Sequence, residues 1–163
     1  MSDENGERAI DRTTRHLDSL GIDYEAVEHR QAYSAASEAT AAGVRPETAA
    51  KSVLLHDGQG YRLAVIQASD RLDLAKVRDL LGVGRAKLRL ISEAEMAAEF
   101  PGFGLGAIPP LGEMIPAPEI VDRRLLEHDR VLCNGGDHKH SVLLDPNEIV
   151  KASDAQMADV CED

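Results

Sequence analysis

Residues 102–112 read Gly-Phe-Gly-Leu-Gly-Ala-Ile-Pro-Pro-Leu-Gly, eleven positions with four glycines, two prolines and no charge. Neither an ordinary helix nor a central strand accommodates such a run, because glycine loosens the backbone and proline removes an amide donor. The segment is expected to be a shaped loop. Its glycines, Gly102 and Gly106 among them, let a ligand approach bare amides and carbonyls, while Pro109 and Pro110 stiffen the path. A plain linker is usually rich in serine and charge, whereas this stretch carries Phe103, Leu105, Ile108 and Leu111. A buried or ligand-facing loop that makes a pocket wall from backbone groups is the better reading.

Around the loop, helical and strand periods alternate. Ile10, Thr13 or Thr14, Leu17 and Leu20 share one helical face that Gly21 closes. A short strand is predicted over 24–27. Ser34 caps an alanine-rich helix running to Gly43, and Pro46 opens a turn leading to Lys51. The apolar runs 52–55 and 61–67 flank His56-Asp57-Gly58-Gln59-Gly60, a hairpin pattern. Asp73 caps a helix that turns Leu74, Val77 and Leu80 or Leu81 inward and ends at Gly82. A strand is predicted over 87–91, and Ser92 with Glu95 forms a capping box. Strands near 120–122, 130–133 and 141–144 follow, then a last helix from Asp145-Pro146 through Val150. Several connections are too short for a crossover helix. The expected fold is therefore mixed α/β (α+β), a single compact domain with a mostly antiparallel sheet and surrounding helices.

With 163 residues, 43% of them hydrophobic, the chain can bury a real core as one domain over 1–163. Cys133 and Cys161 are too few for a disulfide framework and lack metal-ligand spacing, which suggests a reducing cytoplasm. The opening Met-Ser-Asp-Glu-Asn-Gly-Glu does not read as a signal peptide, and no apolar run has membrane length. A soluble protein with no membrane partner is expected. The net charge of -11 argues against general nucleic-acid binding, DNA included. Yet Arg71, Lys76, Arg78, Arg85, Lys87 and Arg89 stand close together with only Asp73 and Asp79 among them. That strip is either a local basic face or an ordinary solvated helix and strand surface.

Further positions could carry chemistry. Lys51 opens Lys-Ser-Val-Leu-Leu, where an ammonium can hold a phosphate, polarise a carbonyl, or simply guard a strand edge. Between two apolar strands lies Asn134-Gly135-Gly136-Asp137-His138-Lys139-His140, a turn that needs no function; its alternate histidines nevertheless point to one side. A metal is not expected there, because only a distant carboxylate such as Asp122 could complete the site. Asp122 itself could merely cap 123–126. Cys133 reads as an inner-strand cysteine, and no Ser-His-Asp or Cys-His signature is visible.

Taken in order, Lys51-Ser52-Val53-Leu54, Gly102 to Gly106 to Pro110-Leu111-Gly112, Val121-Asp122-x-x-Leu125 and Gly135-Gly136-Asp137-x-x-His140-Ser141 resemble the YbaK/ProX family, over roughly residues 10–152. That family includes the editing insertion domain of bacterial prolyl-tRNA synthetases. The resemblance implies a barrel-like mixed sheet between loose termini, and a hydrolase that removes a wrongly attached small amino acid, such as alanine or cysteine, from a tRNA, tRNA-Pro above all. It implies no cofactor and no metal. Its partners would be the acceptor end of an aminoacyl-tRNA and a synthetase on which the domain could dock. Lys51 would be the critical side chain, contacting the terminal nucleotides, and Gly106 to Pro110 would offer backbone groups to the aminoacyl moiety and the attacking water. His29, Ser52, Gly102, Asp122, Gly136 and His140 would contact substrate, with His140 rather than His138 resting on the Gly-Asp-x-x-His alignment. The family commonly has threonine where this chain has Ser52, and the hydroxyl survives.

Ester hydrolysis at an aminoacyl bond needs no strong nucleophile. A positioned water and donors for the oxyanion suffice. A module that binds the acceptor end or a small ligand without turnover is the alternative, and an interaction protein with an acidic surface is a third reading.

Overall fold

The computed structural model describes residues 6–163. Of the termini expected to be loose, residues 1–5 lie outside the described residues. Among the described residues there are five α-helices: α1 (Ala9–Ser19), α2 (Ala35–Ala42), α3 (Leu74–Leu81), α4 (Glu93–Glu99) and α5 (Pro146–Ser153). The strands are β1 (Glu25–Glu28), β2 (Ala50–His56), β3 (Tyr61–Gln67), β4 (Arg89–Leu90), β5 (Glu119–Asp122), β6 (Val131–Asn134), β7 (His140–Leu144) and β8 (Gln156–Ala158). They form two sheets, β1-β7-β6 and β4-β2-β3-β5-β8. Pairing is antiparallel except where β5 joins β3 and β8 joins β5. The mixed, mostly antiparallel single domain is as expected. The barrel-like sheet is not: among the described residues the two sheets are joined by one isolated backbone bridge, Ala49 with Leu132, because β2 leaves that contact at once to follow β3.

Local chemistry accounts for most boundaries. Ser34 caps α2 through the Ser37 amide, and Gly43 ends it in the left-handed region at φ 76°. Asp73 and Asp145 cap α3 and α5. The run Leu63-Ala64-Val65-Ile66 on β3 is buried throughout, since the five-stranded sheet is covered on both faces. Leu63 and Val65 join the main core with Leu17, Leu111, Val121, Leu125, Val142 and Ile149. Ala64 and Ile66 face a second core with Leu55, Val77, Ile120, Val160 and Cys161. Each fully buried large side chain of this kind stabilises the fold by about 1.5–3 kcal/mol.

Several expectations fail for identifiable reasons. The strand over 87–91 shrinks to Arg89–Leu90 because Lys87 turns back to bond the Gly84 carbonyl at 3.0 Å. Ser92 accepts from the Glu95 amide at 3.1 Å, but no reciprocal box forms, as the Glu95 carboxylate binds Arg89 at 2.7 Å and the Tyr61 hydroxyl at 2.7 Å. Nor is the C-terminal end loose. β8 pairs with β5, Leu72 bridges Cys161, and Val160 and Cys161 are buried. The basic strip is likewise thinned: Lys76 Nζ is held by Asp163 at 2.9 Å, Asp159 at 3.3 Å and the Cys161 carbonyl at 2.7 Å, and Arg89 by Glu95.

Candidate functional site

The shortness of β4 creates the site. It pairs only with Leu55 and His56, so β2 ahead of Leu54 lacks a strand on its outer side. The Leu54 carbonyl accepts there from the Ile91 amide at 3.2 Å, and the period-two alternation of a strand places the Ser52 amide and carbonyl on that same open edge. Opposite the edge runs the 102–112 loop, and between them lies a cavity of about 360 Å³. Lys51, Ser52, Val53 and Leu54 form one wall; Leu105, Gly106 and Ile108 form the other, with Met96 of α4 and Tyr33 ahead of α2. Three exposed apolar side chains, Tyr33, Leu90 and Leu105, stand around it, the kind of patch that marks a contact surface.

The loop is a built wall and not a linker. Phe103, Gly104 and 107–112 are buried. The Gly104 amide donates to the Gly136 carbonyl at 2.9 Å, and the Gly112 amide to Glu119 Oε1 at 2.8 Å. Gly106 turns outward at φ 73°, where a non-glycine residue is strained. Its amide donates to Met96 Sδ at 3.5 Å, and a thioether is a weak acceptor. Lys51 has no side-chain ion-pair or hydrogen-bond partner among the described residues. Ser52 Oγ is buried without a partner.

Lys51, Ser52 and Gly106 are therefore brought together, and the other expected site residues are not. Pro110 is buried behind the wall. Gly102 sits where a Cβ would strike the Arg12 guanidinium, and Gly136, at φ 106°, where one would meet Ala9 Cβ at 2.8 Å. Asp122 is fully buried; its two oxygens accept from the Arg124 and Val160 amides, both at 2.9 Å, which makes it a cap that ties down the C-terminal segment. Of the histidines, His140 Nδ1 faces Asp137 at 2.9 Å, whereas His138 Nε2 bonds the Leu105 carbonyl at 2.8 Å and its ring lies 4.7 Å from that of Tyr33. His138, not His140, backs the cavity wall.

A cluster invisible in the sequence lies one helical turn behind the cavity. Ser141 Oγ contacts His29 Nε2 at 2.8 Å and Glu38 Oε1 at 3.2 Å, and His29 Nδ1 meets the Arg30 carbonyl at 2.7 Å. With its nitrogen turned toward Glu38, the Asn134 amide donates to the same carboxyl. The fold thus assembles serine, histidine and acid from three distant segments. It is not a hydrolytic triad, because the acid touches the serine instead of orienting the histidine, and Ser141 is fully buried. The Arg30 carbonyl accepts from His29 Nδ1, and Ser141 Oγ donates to Glu38 Oε1. Desolvation raises the Glu38 carboxyl to about 8 against the pull of its Ser141 hydrogen bond.

Among the described residues, no cluster of three or more His, Cys, Asp or Glu side chains is arranged to hold a metal ion. No helix among them is long and apolar enough to cross a membrane.

Comparison with known proteins places this geometry. Residues 29–152 match the model of the aminoacyl-tRNA editing domain. The chain belongs to that family. Among solved structures, it is 28% identical to a candidate trans-editing enzyme for prolyl tRNA synthetase, with a TM-score of 0.83 over 95% of this chain and 98% of that one. The hypothetical protein APE2540 superposes with a TM-score of 0.83 at 25% identity, over 93% and 99% of the two chains. A scaffold protein from work on computational epitope grafting shares 29% identity and a TM-score of 0.82, over 95% and 97%. The editing domain's match begins at His29 and takes in both walls of the cavity and the buried Glu38 cluster.

Proposed function

We propose that this editing domain deacylates mischarged tRNA in trans, hydrolysing the ester that joins a small amino acid such as alanine or cysteine to the 3′ end of tRNA-Pro. One observation carries the reading: an unpaired Lys51 ammonium stands beside a small, largely apolar cavity whose far wall is the backbone at Gly106. The amino-acid side chain enters between Leu54, Met96 and Ile108. Lys51 holds a terminal phosphate, for which a compact ammonium is well suited.

The aminoacyl ester is already reactive, so the protein's task is to place a water and stabilise the oxyanion. The Gly106 amide is the donor at hand, because its bond to Met96 sulfur is easily exchanged for one to oxygen. Ser52, whose backbone amide and carbonyl lie on the open edge of β2, is placed to orient the water. Proline is the amino acid to be spared, and one methylene of pocket space separates related residues by roughly 1–3 kcal/mol. The similarity to a candidate trans-editing enzyme for prolyl tRNA synthetase supports this choice of tRNA.

A deacylation panel with alanine-, cysteine-, serine- and proline-charged tRNA tests the proposal. Alanine or cysteine should be released and proline retained. Tight binding with no release of any amino acid would instead mark an acceptor-end binding module.

A further inference from the structure

The cavity does not end at Lys51. Lys51, Val53 and Leu90 also line a second groove of about 340 Å³, whose remaining lining includes Arg71, Leu72 and Glu162. The two hollows share Lys51, Val53 and Leu90 and form one continuous track across the β2 edge. Among the described residues, two cations stand in it without an acid to hold them. Lys76 and Arg89, from the same strip of sequence, are neutralised by acids, but neither Lys51 nor the exposed Arg71 has a side-chain partner among the described residues. Arg71 is held in place through its backbone, its carbonyl accepting from the Glu162 amide at 2.8 Å. Leu90 is 55% exposed, an apolar floor left open beside two free cations.

An apolar surface bordered by unpaired cations is what a nucleotide requires, the base against the floor and the phosphate against the charges. We propose that this groove seats the penultimate nucleotide of the acceptor strand, with its base on Leu90 and Val53 and the phosphate that follows it between Lys51 and Arg71. The proposal rests on the deacylase reading above, since it is the ester in the first hollow that gives the strand its direction. Glu162 repels any further phosphate, so the groove takes one nucleotide and not a run of them.

Two small substrates isolate this contact: alanyl-adenosine, which ends at the terminal nucleoside, and alanyl-cytidylyl-adenosine, which adds one base and one phosphate. In the wild-type protein the second should have the higher kcat/KM by about tenfold, in keeping with one stacked base and one phosphate contact. Arg71→Gln should bring the ratio of the two toward one, and Arg71→Lys should restore most of it; thermal melts confirm that both variants fold. A wild-type ratio near one, or an Arg71→Gln variant that keeps the wild-type ratio, overturns the groove. Failure of the wild-type protein to cleave either substrate or any aminoacyl-tRNA overturns the deacylase reading, and the groove falls with it.

Discussion

Lys51 is a residue whose removal separates function from folding. Its ammonium supports nothing else among the described residues, so Lys51→Ala should leave the melting temperature within a degree or two while kcat/KM falls by about 10- to 150-fold, the equivalent of one charge-assisted hydrogen bond of roughly 1.5–3 kcal/mol. Lys51→Arg should also be impaired, because a planar fork does not replace a compact ammonium. Single-turnover deacylation beside thermal melts checks both, and wild-type activity in Lys51→Ala would remove the residue from the site. The sequence shows this lysine at the mouth of an apolar strand, where spacing alone favours edge guarding. What decides is that β4 ends at Leu90, just ahead of the Ser92 cap of α4, so that no strand runs beside Ser52. Asp122 illustrates the converse. Its family position suggests substrate contact, while its carboxylate caps two amides, one of them in a C-terminal segment 38 residues further on.

At the scale of elements, the 102–112 loop has two glycines with different duties. At Gly106 an added Cβ would find only the Tyr33 carbonyl at 3.5 Å, but φ 73° strains any side chain there and a branched one projects into the cavity. At Gly112 a Cβ would land on the Ala117 carbonyl. Gly106→Val should therefore abolish turnover with a modest loss of stability, whereas Gly112→Ala should cost about 2–4 kcal/mol of stability and lose activity only as the fold is lost. Denaturant melts paired with deacylation rates distinguish them; equal losses of stability would contradict the division. Pro110, being buried, belongs with Gly112 and not with Gly106. The loop, the hairpin and the caps at Ser34, Asp73 and Asp145 were legible because each is encoded within a few residues. β8 and the division into two sheets were not, since they depend on which distant backbone is left unpaired once β3 and β5 have met. The Glu38, His29 and Ser141 cluster escaped for the same reason: its members are separated by up to 112 positions, and in the sequence Glu38 is only a polar residue in an alanine-rich helix.

For the molecule as a whole, the net charge of -11 conceals carboxyls that are neutral near pH 7. Desolvation raises Glu38 to about 8, and it raises Glu119 to about 8 as well despite the hydrogen bond from the Gly112 amide. A folded-state value above the unfolded one means that the folded protein binds the extra proton more tightly. Stability from this source is fully present below about pH 4.5 and is lost as pH rises toward 8. Acid denaturation through paired surface carboxylates runs in the opposite direction, so the two effects separate on a melt series from pH 5 to 9, where the two buried carboxyls dominate. Glu38→Gln keeps an oxygen to accept from Ser141, yet has no proton to lose. Its melting temperature should match the wild type near pH 5 and exceed it by an increasing margin toward pH 9, by on the order of a few kcal/mol in stability at most. Because Glu38 lies one helical turn behind Ala35 in the cavity wall, the variant's deacylation should also hold up better above pH 8 than that of the wild type. Were Glu38 and His29 instead an ion pair, 3.8 Å apart as they stand, the same substitution would strand a buried imidazolium and destabilise the protein at every pH. A variant weaker than wild type across the whole series would therefore reverse the proton assignment.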